Sequence, residues 1–132
     1  MDLIEQITSV ATGLGWHVDT DTSTPNIVEF EFSQYTPAGQ DFNFCVEMKD
    51  DDPDSLLDDI ERYYEDFDPD YEASLWIGDD GHGKRGAPYH IKDIVSDMEA
   101  AEKMIDTLLE ALKKALEKKR LTHEKRKGKR TY

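Results

Sequence analysis

Two short segments of the chain alternate strictly between apolar and polar residues, which is the pattern of a strand with one buried face. The first covers residues 27–33 and the second covers residues 42–48. Their apolar positions are Val28, Phe30, Phe32, Phe42, Phe44, Val46 and Met48. The residues between the segments, 34–40, include proline and glycine, so the two strands are predicted to pair as an antiparallel hairpin.

Three other segments have the three-to-four-residue apolar spacing of amphipathic helices. They cover residues 2–14, 53–67 and 88–120. The last of them carries a heptad-like seam of apolar residues, which are Ile91, Ile94, Met98, Ala101, Ile105, Leu108, Leu112 and Ala115. Such a seam can pack inside the chain or pair two copies of it, and the pattern allows both. Residues 71–77 fit a short strand or a short helix.

These patterns together predict a single α+β domain over residues 1–120. It should contain a two- or three-stranded antiparallel sheet with helices on one face and a long C-terminal helix. Trp16 and Val18 could supply the third strand, before a run of turn-forming residues at 19–25. The remaining residues, 121–132, are predicted to be a basic, disordered tail.

The composition is compatible with a small folded protein. Hydrophobic residues make up 37% and charged residues 35% of 132 positions, but two Trp, six Tyr and five Phe are present. A disordered chain of this charge would contain few aromatic residues. The single cysteine, Cys45, excludes an intramolecular disulfide. Because no secretory signal and no apolar run of membrane-spanning length is evident, we expect a cytoplasmic protein that does not bind membranes.

Charge is divided unevenly along the chain. Residues 1–100 contain 25 Asp and Glu against 5 Lys and Arg, whereas residues 101–132 contain 5 against 11. The formal charges of the two parts are −20 and +6, within a total of −14. An acidic body of this kind repels nucleic acids and attracts basic surfaces. We therefore expect the chain to bind a basic protein and not to bind nucleic acid directly.

The acidic residues concentrate on two of the predicted elements. The polar face of the hairpin would display three glutamates close together, and the second helix carries acidic residues at both ends. Acidic residues at the C-terminal end of a helix oppose its dipole, so the helix alone does not explain them. The candidate partner-binding residues are Glu29, Glu31, Glu47, Asp50, Asp51, Asp52, Asp54, Asp58, Glu61 and Glu65.

The spacing of these carboxylates indicates what they could bind. Carboxylates at alternate positions of a strand lie about 6.7 Å apart, and those four residues apart on a helix lie about 6 Å apart. DNA phosphates recur on a comparable scale, so the surface could mimic a nucleic-acid backbone in the basic cleft of a nucleic-acid-binding protein. Any acidic helix meets this spacing, and a solvated surface kept for solubility would explain the same residues.

Other chemistry has weaker support in the sequence. The glycine-rich loop of residues 78–88 contains Asp79 and His82 but matches no phosphate-binding, calcium or zinc pattern. It is interpreted as a flexible connector or as a mobile binding loop. Cys45 has no partner motif that would make it a nucleophile. The sequence therefore predicts that the chain is not an enzyme and has no cofactor and no metal site. A metal-dependent enzyme that uses the glycine-rich loop is the least favoured hypothesis.

Several short stretches carry a resemblance to known sequences. They are TPAGQDF at residues 36–42, YYEDFD at 63–68, LWI at 75–77 and GHGKRGAPY at 81–89. Together they resemble a group of small acidic, uncharacterised proteins from bacterial mobile elements and prophages. The resemblance implies no named activity. Its context implies an inhibitor of host restriction or CRISPR nucleases, since mobile elements often encode small acidic inhibitors of that kind.

The leading hypothesis is a non-enzymatic acidic binding protein, a nucleic-acid mimic of the anti-restriction or anti-CRISPR type. The alternative is a small self-associating accessory or scaffold protein that forms a homodimer through its C-terminal helix.

Overall fold

The structure is a computed structural model that describes residues 2–84 and 86–128, with side chains described as far as Leu116. In chain order its elements are α1 (Leu3–Gly13), β1 (His17–Asp21), β2 (Ile27–Tyr35), β3 (Asp41–Lys49), α2 (Pro53–Asp66), α3 (Pro69–Ser74) and α4 (Ile91–Gly128). The strands form one antiparallel sheet in the order β1-β2-β3. The predicted α+β class, with an antiparallel sheet and a long C-terminal helix, is confirmed.

The register of β2 and β3 separates an apolar face of the sheet from a polar one. Phe32 lies opposite Phe44 on the first face, and Glu29 lies opposite Glu47 on the second. All seven apolar positions predicted for the two strands are buried. They share one core with the buried residues of α1, α2, α3 and α4. The helices therefore cover the apolar face, and the polar face is left open.

Aromatic rings occupy the centre of this core. The Trp16 ring meets Phe32 edge-on at a centroid distance of 6.3 Å and Phe44 at 5.6 Å. On the side of α2, Tyr63 stacks on Phe44 at 4.6 Å. Burial, with a smaller contribution from the negative charge of Glu72, raises the pKa of Tyr63 to about 12. Tyr63 is therefore a neutral member of the core throughout the physiological pH range.

The short helix α3 covers residues 71–74 of the ambiguous segment at residues 71–77, and Ile77 forms an isolated antiparallel bridge with Gly83. An Asp-Pro pair begins both α2 and α3, with Asp52 and Asp68 as the N-caps. Each aspartate accepts a hydrogen bond from the backbone N–H two residues later, at 3.0 Å. Proline fits the first turn of a helix, where its missing N–H would have no partner inside the helix. Asp68-Pro69 therefore ends one helix and begins the next.

The seam of α4 packs against the chain's own elements. Ile94, Ile105 and Leu112 are fully buried within the core, and Leu116 is 1% exposed. These buried positions are already covered within the chain and are not available to pair two copies of it. The backbone of α4 continues to Gly128, through residues 121–128 of the predicted tail, whereas residues 129–132 lie outside the described part of the chain. The helix begins at Ile91, later than the predicted start at Pro88.

A buried polar cluster ties the loop between β2 and β3 to α4. The hydroxyl of Thr36 donates to the Asp97 carboxylate, and the backbone N–H of Ala38 donates to it at 3.0 Å. Gln40 continues the network, because its N–H donates to the Thr36 hydroxyl at 2.9 Å and its side-chain amide donates to the carbonyl of Gly86 at 3.0 Å. The network thus fixes the hairpin loop against both α4 and the glycine-rich loop.

Candidate acidic interface

The open face of the sheet carries a block of carboxylates in register across all three strands. Glu29 on β2 lies between Asp21 on β1 and Glu47 on β3. In the next row, Glu31 lies between Asp19 and Cys45. We refer to Asp19, Asp21, Glu29, Glu31 and Glu47 as the open acidic face. The only lysine or arginine in the three strands is Lys49, the last residue of β3.

This arrangement opposes the local electrostatics of a sheet. Residues directly opposite each other on neighbouring strands have Cβ atoms about 4.5–5.5 Å apart, and like charges in such pairs are destabilising. The register nevertheless places Glu29 opposite both Asp21 and Glu47. Natural sequences tend to break a local rule of this kind where function requires it. The sheet, rather than the helix ends, therefore carries the acidic placement that is hardest to explain by folding.

Two members of the open acidic face, Asp19 and Asp21, are absent from the predicted set. The sequence pattern places residues 19–25 in a turn, but the strand continues through Asp21 because it pairs with β2. The turn begins after it, where the N–H of Ser23 donates to the Asp21 carboxylate at 2.8 Å. Hydrogen bonds from Ser23 lower the pKa of Asp21, so the carboxylate is ionised. The alternation of Trp16, Val18 and Thr20 with polar residues is the signal that could have extended the strand.

The acidic run after β3 has a local structural explanation. Asp50 and Asp51 both adopt a φ of 54°, in the left-handed region that aspartate tolerates better than most residues. The N–H of Asp50 donates to the carbonyl of Asn26 at 2.8 Å, which closes the end of the β2–β3 pair. Asp52 caps α2, and Asp54 lies in its first turn, where negative charge is favourable. These four candidates shape the connection into α2.

One aspartate outside the predicted set, Asp59, has a clear structural role. Its carboxylate accepts a hydrogen bond from the backbone N–H of Glu47 at 2.9 Å and one from Arg62 at 2.9 Å. Nearby, the hydroxyl of Ser55 accepts from the backbone N–H of Lys49 at 2.8 Å. Side chains of α2 thus supply hydrogen-bond acceptors to backbone N–H groups on the outer edge of β3.

The remaining candidates lie on another flank of α2. Glu61 forms an ion pair with Lys113 of α4 at 3.2 Å, so this flank faces α4, whereas Asp59 faces β3. Asp58 and Glu65 share the flank of Glu61, because residues three and four apart on a helix are neighbours. An exposed ion pair contributes at most about 1 kcal/mol. The structure therefore divides the ten predicted residues between the open sheet face, the turn into α2 and the α4-facing flank.

The α4-facing flank is itself strongly negative. The pKa of Tyr64 is raised mainly by Asp106, with smaller contributions from burial, Glu102 and Glu110. These three acidic residues belong to α4 and lie across from α2. This surface also contains a cation, Lys113, which approaches Glu110 at 3.8 Å in addition to Glu61. It is therefore partly neutralised within the chain.

The exposed thiol of Cys45 lies in the middle of the open acidic face, and its pKa responds to the negative charge around it. Partial burial, followed by the charges of Glu31 and Glu29, raises the pKa of Cys45 above its ordinary value. The thiol is therefore protonated at neutral pH, which is the opposite of what a nucleophilic cysteine needs. Glu29 and Glu31 of β2 both raise the pKa of this thiol on β3, as expected if all three side chains lie on the same face of the sheet.

Neutralising both glutamates should make this thiol more reactive. In the double variant Glu29→Gln/Glu31→Gln the pKa of Cys45 is expected to fall, so alkylation by iodoacetamide at about pH 8 should be faster, since the thiolate is the reacting form. The pH dependence of the alkylation rate measures the change. Glu99→Gln, on α4, should leave the rate unchanged. An equal pKa in the double variant would contradict the electrostatic coupling described above.

The glycine-rich loop is held in place by hydrogen bonds and is not a free connector. The N–H of Gly78 donates to the carbonyl of His82 at 2.7 Å, and the N–H of Gly83 donates to the carbonyl of Tyr89 at 3.1 Å. A Cβ atom on Gly83 would lie 1.9 Å from the carbonyl oxygen of Pro88, so only glycine fits there. The His82 ring stacks on Tyr89 at a centroid distance of 3.9 Å. Within the described residues, no group of three or more His, Cys, Asp or Glu converges in a way that could hold a metal ion.

Two further findings bear on function. None of the described helices is both long and apolar enough to cross a membrane. No family model, curated protein or solved structure matches the chain.

Proposed function

We propose that the chain is a non-enzymatic binding protein whose open acidic face occupies the basic cleft of a nucleic-acid-processing protein in place of nucleic acid. The observation that supports this most directly is the register of the sheet, which aligns five carboxylates on a face whose basic side chains are Lys49, at the end of β3, and His17, whose ring lies 3.3 Å from the Asp19 carboxylate. A surface of this kind attracts a basic partner over a distance of about one Debye length, ~10 Å at 0.1 M salt.

The frame behind the carboxylates makes them suitable for this role. Their strands are backed by a core in which Phe30 and Phe32 are fully buried, so the backbone that carries the charges is fixed. A preorganised surface loses less conformational entropy on binding than a flexible acidic tail does. Carboxylates about 6.7 Å apart along a strand and about 5 Å apart across strands present a two-dimensional array of charge. Such an array can engage several lysine and arginine side chains at once.

The predicted residues contribute unequally in this proposal. Glu29, Glu31 and Glu47 form its centre, with Asp19 and Asp21 beside them. The turn residues Asp50, Asp51, Asp52 and Asp54 and the flank residues Asp58, Glu61 and Glu65 add to the general negative field. The inhibitor class, anti-restriction or anti-CRISPR, follows from the resemblance to mobile-element proteins and is part of the same proposal.

The test compares two triple variants with the same change in charge. Immobilised protein is exposed to bacterial proteins that bind heparin, and duplex DNA is then used as the competitor. The wild type should retain a basic protein that DNA displaces and that high salt releases. Glu29→Gln/Glu31→Gln/Glu47→Gln should weaken retention at least tenfold, because it removes the three negative charges at the centre of the open acidic face. Asp66→Asn/Asp79→Asn/Glu99→Gln should retain it.

Either of two results would contradict the proposal. Equal retention by both variants would show that only the total charge matters, as expected of a solubilising surface. Retention that DNA does not displace would show that the partner is not bound through its nucleic-acid cleft.

A further inference from the structure

The rest of the fold covers one outer edge of the sheet, that of β3, and leaves the other, that of β1, without such cover. On the β3 edge, the outward backbone N–H groups of Glu47 and Lys49 donate to Asp59 and Ser55 of α2. Unpaired edge groups invite pairing with another chain, and natural proteins usually cover them. The β3 edge is therefore closed by α2. No helix supplies equivalent side chains to the β1 edge in the part of the chain that the structure describes.

The register identifies which backbone groups of β1 point outward. Because Glu47 and Lys49 direct their N–H groups away from β2, the alternate residues of β3 are the ones bonded to β2. In β2 the odd-numbered residues then face β1, so the odd-numbered residues of β1 are bonded to β2. Val18 and Thr20 must therefore direct their N–H and C=O groups to the open side. Trp16 supports the assignment of the even-numbered residues to the outward side, because its N–H also turns away from β2 and donates to the carbonyl of Ala11 at 3.0 Å.

The four outward groups of Val18 and Thr20 have no hydrogen-bond partner among the described residues. Thr20 is exposed and Val18 is partly exposed, so the edge is accessible to another strand. An extended peptide that pairs with such an edge gains main-chain hydrogen bonds, and its alternate side chains determine specificity. We propose that the β1 edge receives an extended basic segment of the partner protein, which adds to the sheet as a fourth strand. This inference rests on the proposed function, since it specifies how the basic partner is engaged.

Charge decides which segment fits the edge. The side chains of the added strand that lie opposite Asp19 and Asp21 project onto the open acidic face. Lysine or arginine at those positions would form favourable cross-strand pairs. The residues opposite Val18 and Thr20 project to the other side, where small or β-branched residues fit a strand. The partner segment should therefore alternate basic and β-branched residues.

A second copy of the chain is a poorer occupant of this edge. Antiparallel pairing of two β1 strands centred on Asp19 would place that residue opposite itself, and pairing centred on Thr20 would place Asp19 opposite Asp21. Like charges in directly opposite positions are destabilising. Pairing centred on Val18 would place Asp19 opposite His17, but it would overlap only residues 17–19 of β1. The aspartates thus oppose self-association in the first two registers, and a basic strand meets no such repulsion.

The first experiment uses two peptides of identical composition. One alternates lysine and valine, and the other contains a block of lysines followed by a block of valines. The alternating peptide is expected to bind about tenfold more tightly, since it alone can combine edge hydrogen bonds with cross-strand charge pairs. Binding should slow the hydrogen exchange of the Val18 and Thr20 amides and leave that of Asp97, which is buried in α4, unchanged.

A matched pair of variants tests the edge directly. Thr20→Pro removes one outward N–H and no bond to β2, and proline is tolerated on edge strands. It should abolish the preference for the alternating peptide, whereas Thr20→Val, which retains the N–H, should preserve it. If Thr20→Pro fails to fold, which circular dichroism shows, amide protection in the wild type decides the question.

The outcomes separate this inference from the proposed function. Equal binding of both peptides without protection of Val18 and Thr20 would overturn the strand addition and leave a basic partner on the open acidic face. If neither peptide binds and the wild type also retains no DNA-displaceable protein, the proposed function fails as well. Concentration-dependent dimerisation that Thr20→Pro abolishes would assign the edge to a second copy and overturn the inference.

Discussion

Replacing Phe32 by alanine is expected to lower the free energy of unfolding by about 3–5 kcal/mol. Phe32 lies on the central strand, is fully buried and packs against the rings of Trp16, Phe30 and Phe44 at centroid distances of 6.3, 5.8 and 5.5 Å. The substitution removes the apolar area of the ring and leaves a cavity that a close-packed core fills only in part. Because small domains are stable by about 5–15 kcal/mol, the loss is a large share of the total.

Urea denaturation followed by circular dichroism measures the effect, and the melting temperature should fall by about 10–20 °C. Two substitutions serve as controls. Phe32→Leu retains most of the buried area and should cost less than Phe32→Ala. Ser33→Ala, on the same strand but on the open face, should change stability by no more than about 0.5 kcal/mol. Comparable losses from Ser33→Ala and Phe32→Ala would mean that the assignment of the two faces of β2 is wrong.

The faces of β2 and β3 could be predicted because side chains in a strand alternate with a period of two. A shift of one residue would have moved the phenylalanines to the open side and the glutamates to the core, so the pattern itself specifies the register. The same alternation predicts that Glu29, Glu31 and Glu47 lie together on the opposite face. It applies wherever one face of a strand is buried.

The third strand was harder to predict because its composition resembles a turn. The run from Asp19 to Thr24 consists of Asp, Thr and Ser, which favour turns in isolation. Pairing with β2 overrides that preference as far as Asp21, because strand propensity depends strongly on neighbouring strands. The consequence for the site is considerable, since Asp19 and Asp21 enlarge a group of three carboxylates to a group of five.

Part of the acidic composition is explained by folding alone. Asp52 and Asp68 cap helices, Asp59 satisfies the edge of β3, and Asp97 holds the hairpin loop. Each of these carboxylates accepts hydrogen bonds from its own chain. The carboxylates of Glu29, Glu31 and Glu47 accept none among the bonds that the described residues make. The fold therefore does not account for Glu29, Glu31 and Glu47, which remain candidates for an interface on the sheet.

Asp97→Asn is expected to destabilise the protein by about 2–4 kcal/mol, although it changes the size of the side chain very little. Asp97 is 5% exposed, and its two carboxylate oxygens accept from the Thr36 hydroxyl and from the N–H of Ala38. An asparagine can present only one oxygen, so its amide group would face one of these donors and leave it unpaired. A buried donor without a partner costs about 1–3 kcal/mol, and a hydrogen bond to a charged group is worth more than one to a neutral group.

The effect should be local as well as global, because the network extends from Asp97 through Thr36 to Gln40 and on to Gly86. In Asp97→Asn the amides of Ala38 and Gln40 should exchange faster with solvent than expected from the loss of global stability alone. Glu99→Gln, an exposed carboxylate on the same helix, is the matched control and should change neither quantity. Wild-type stability in Asp97→Asn would show that the hairpin loop does not depend on this anchor. The position of Asp97 on the buried stripe, between Ile94 and Ala101, is the sequence signal for such an anchor, since a charged residue is retained there only when it has partners.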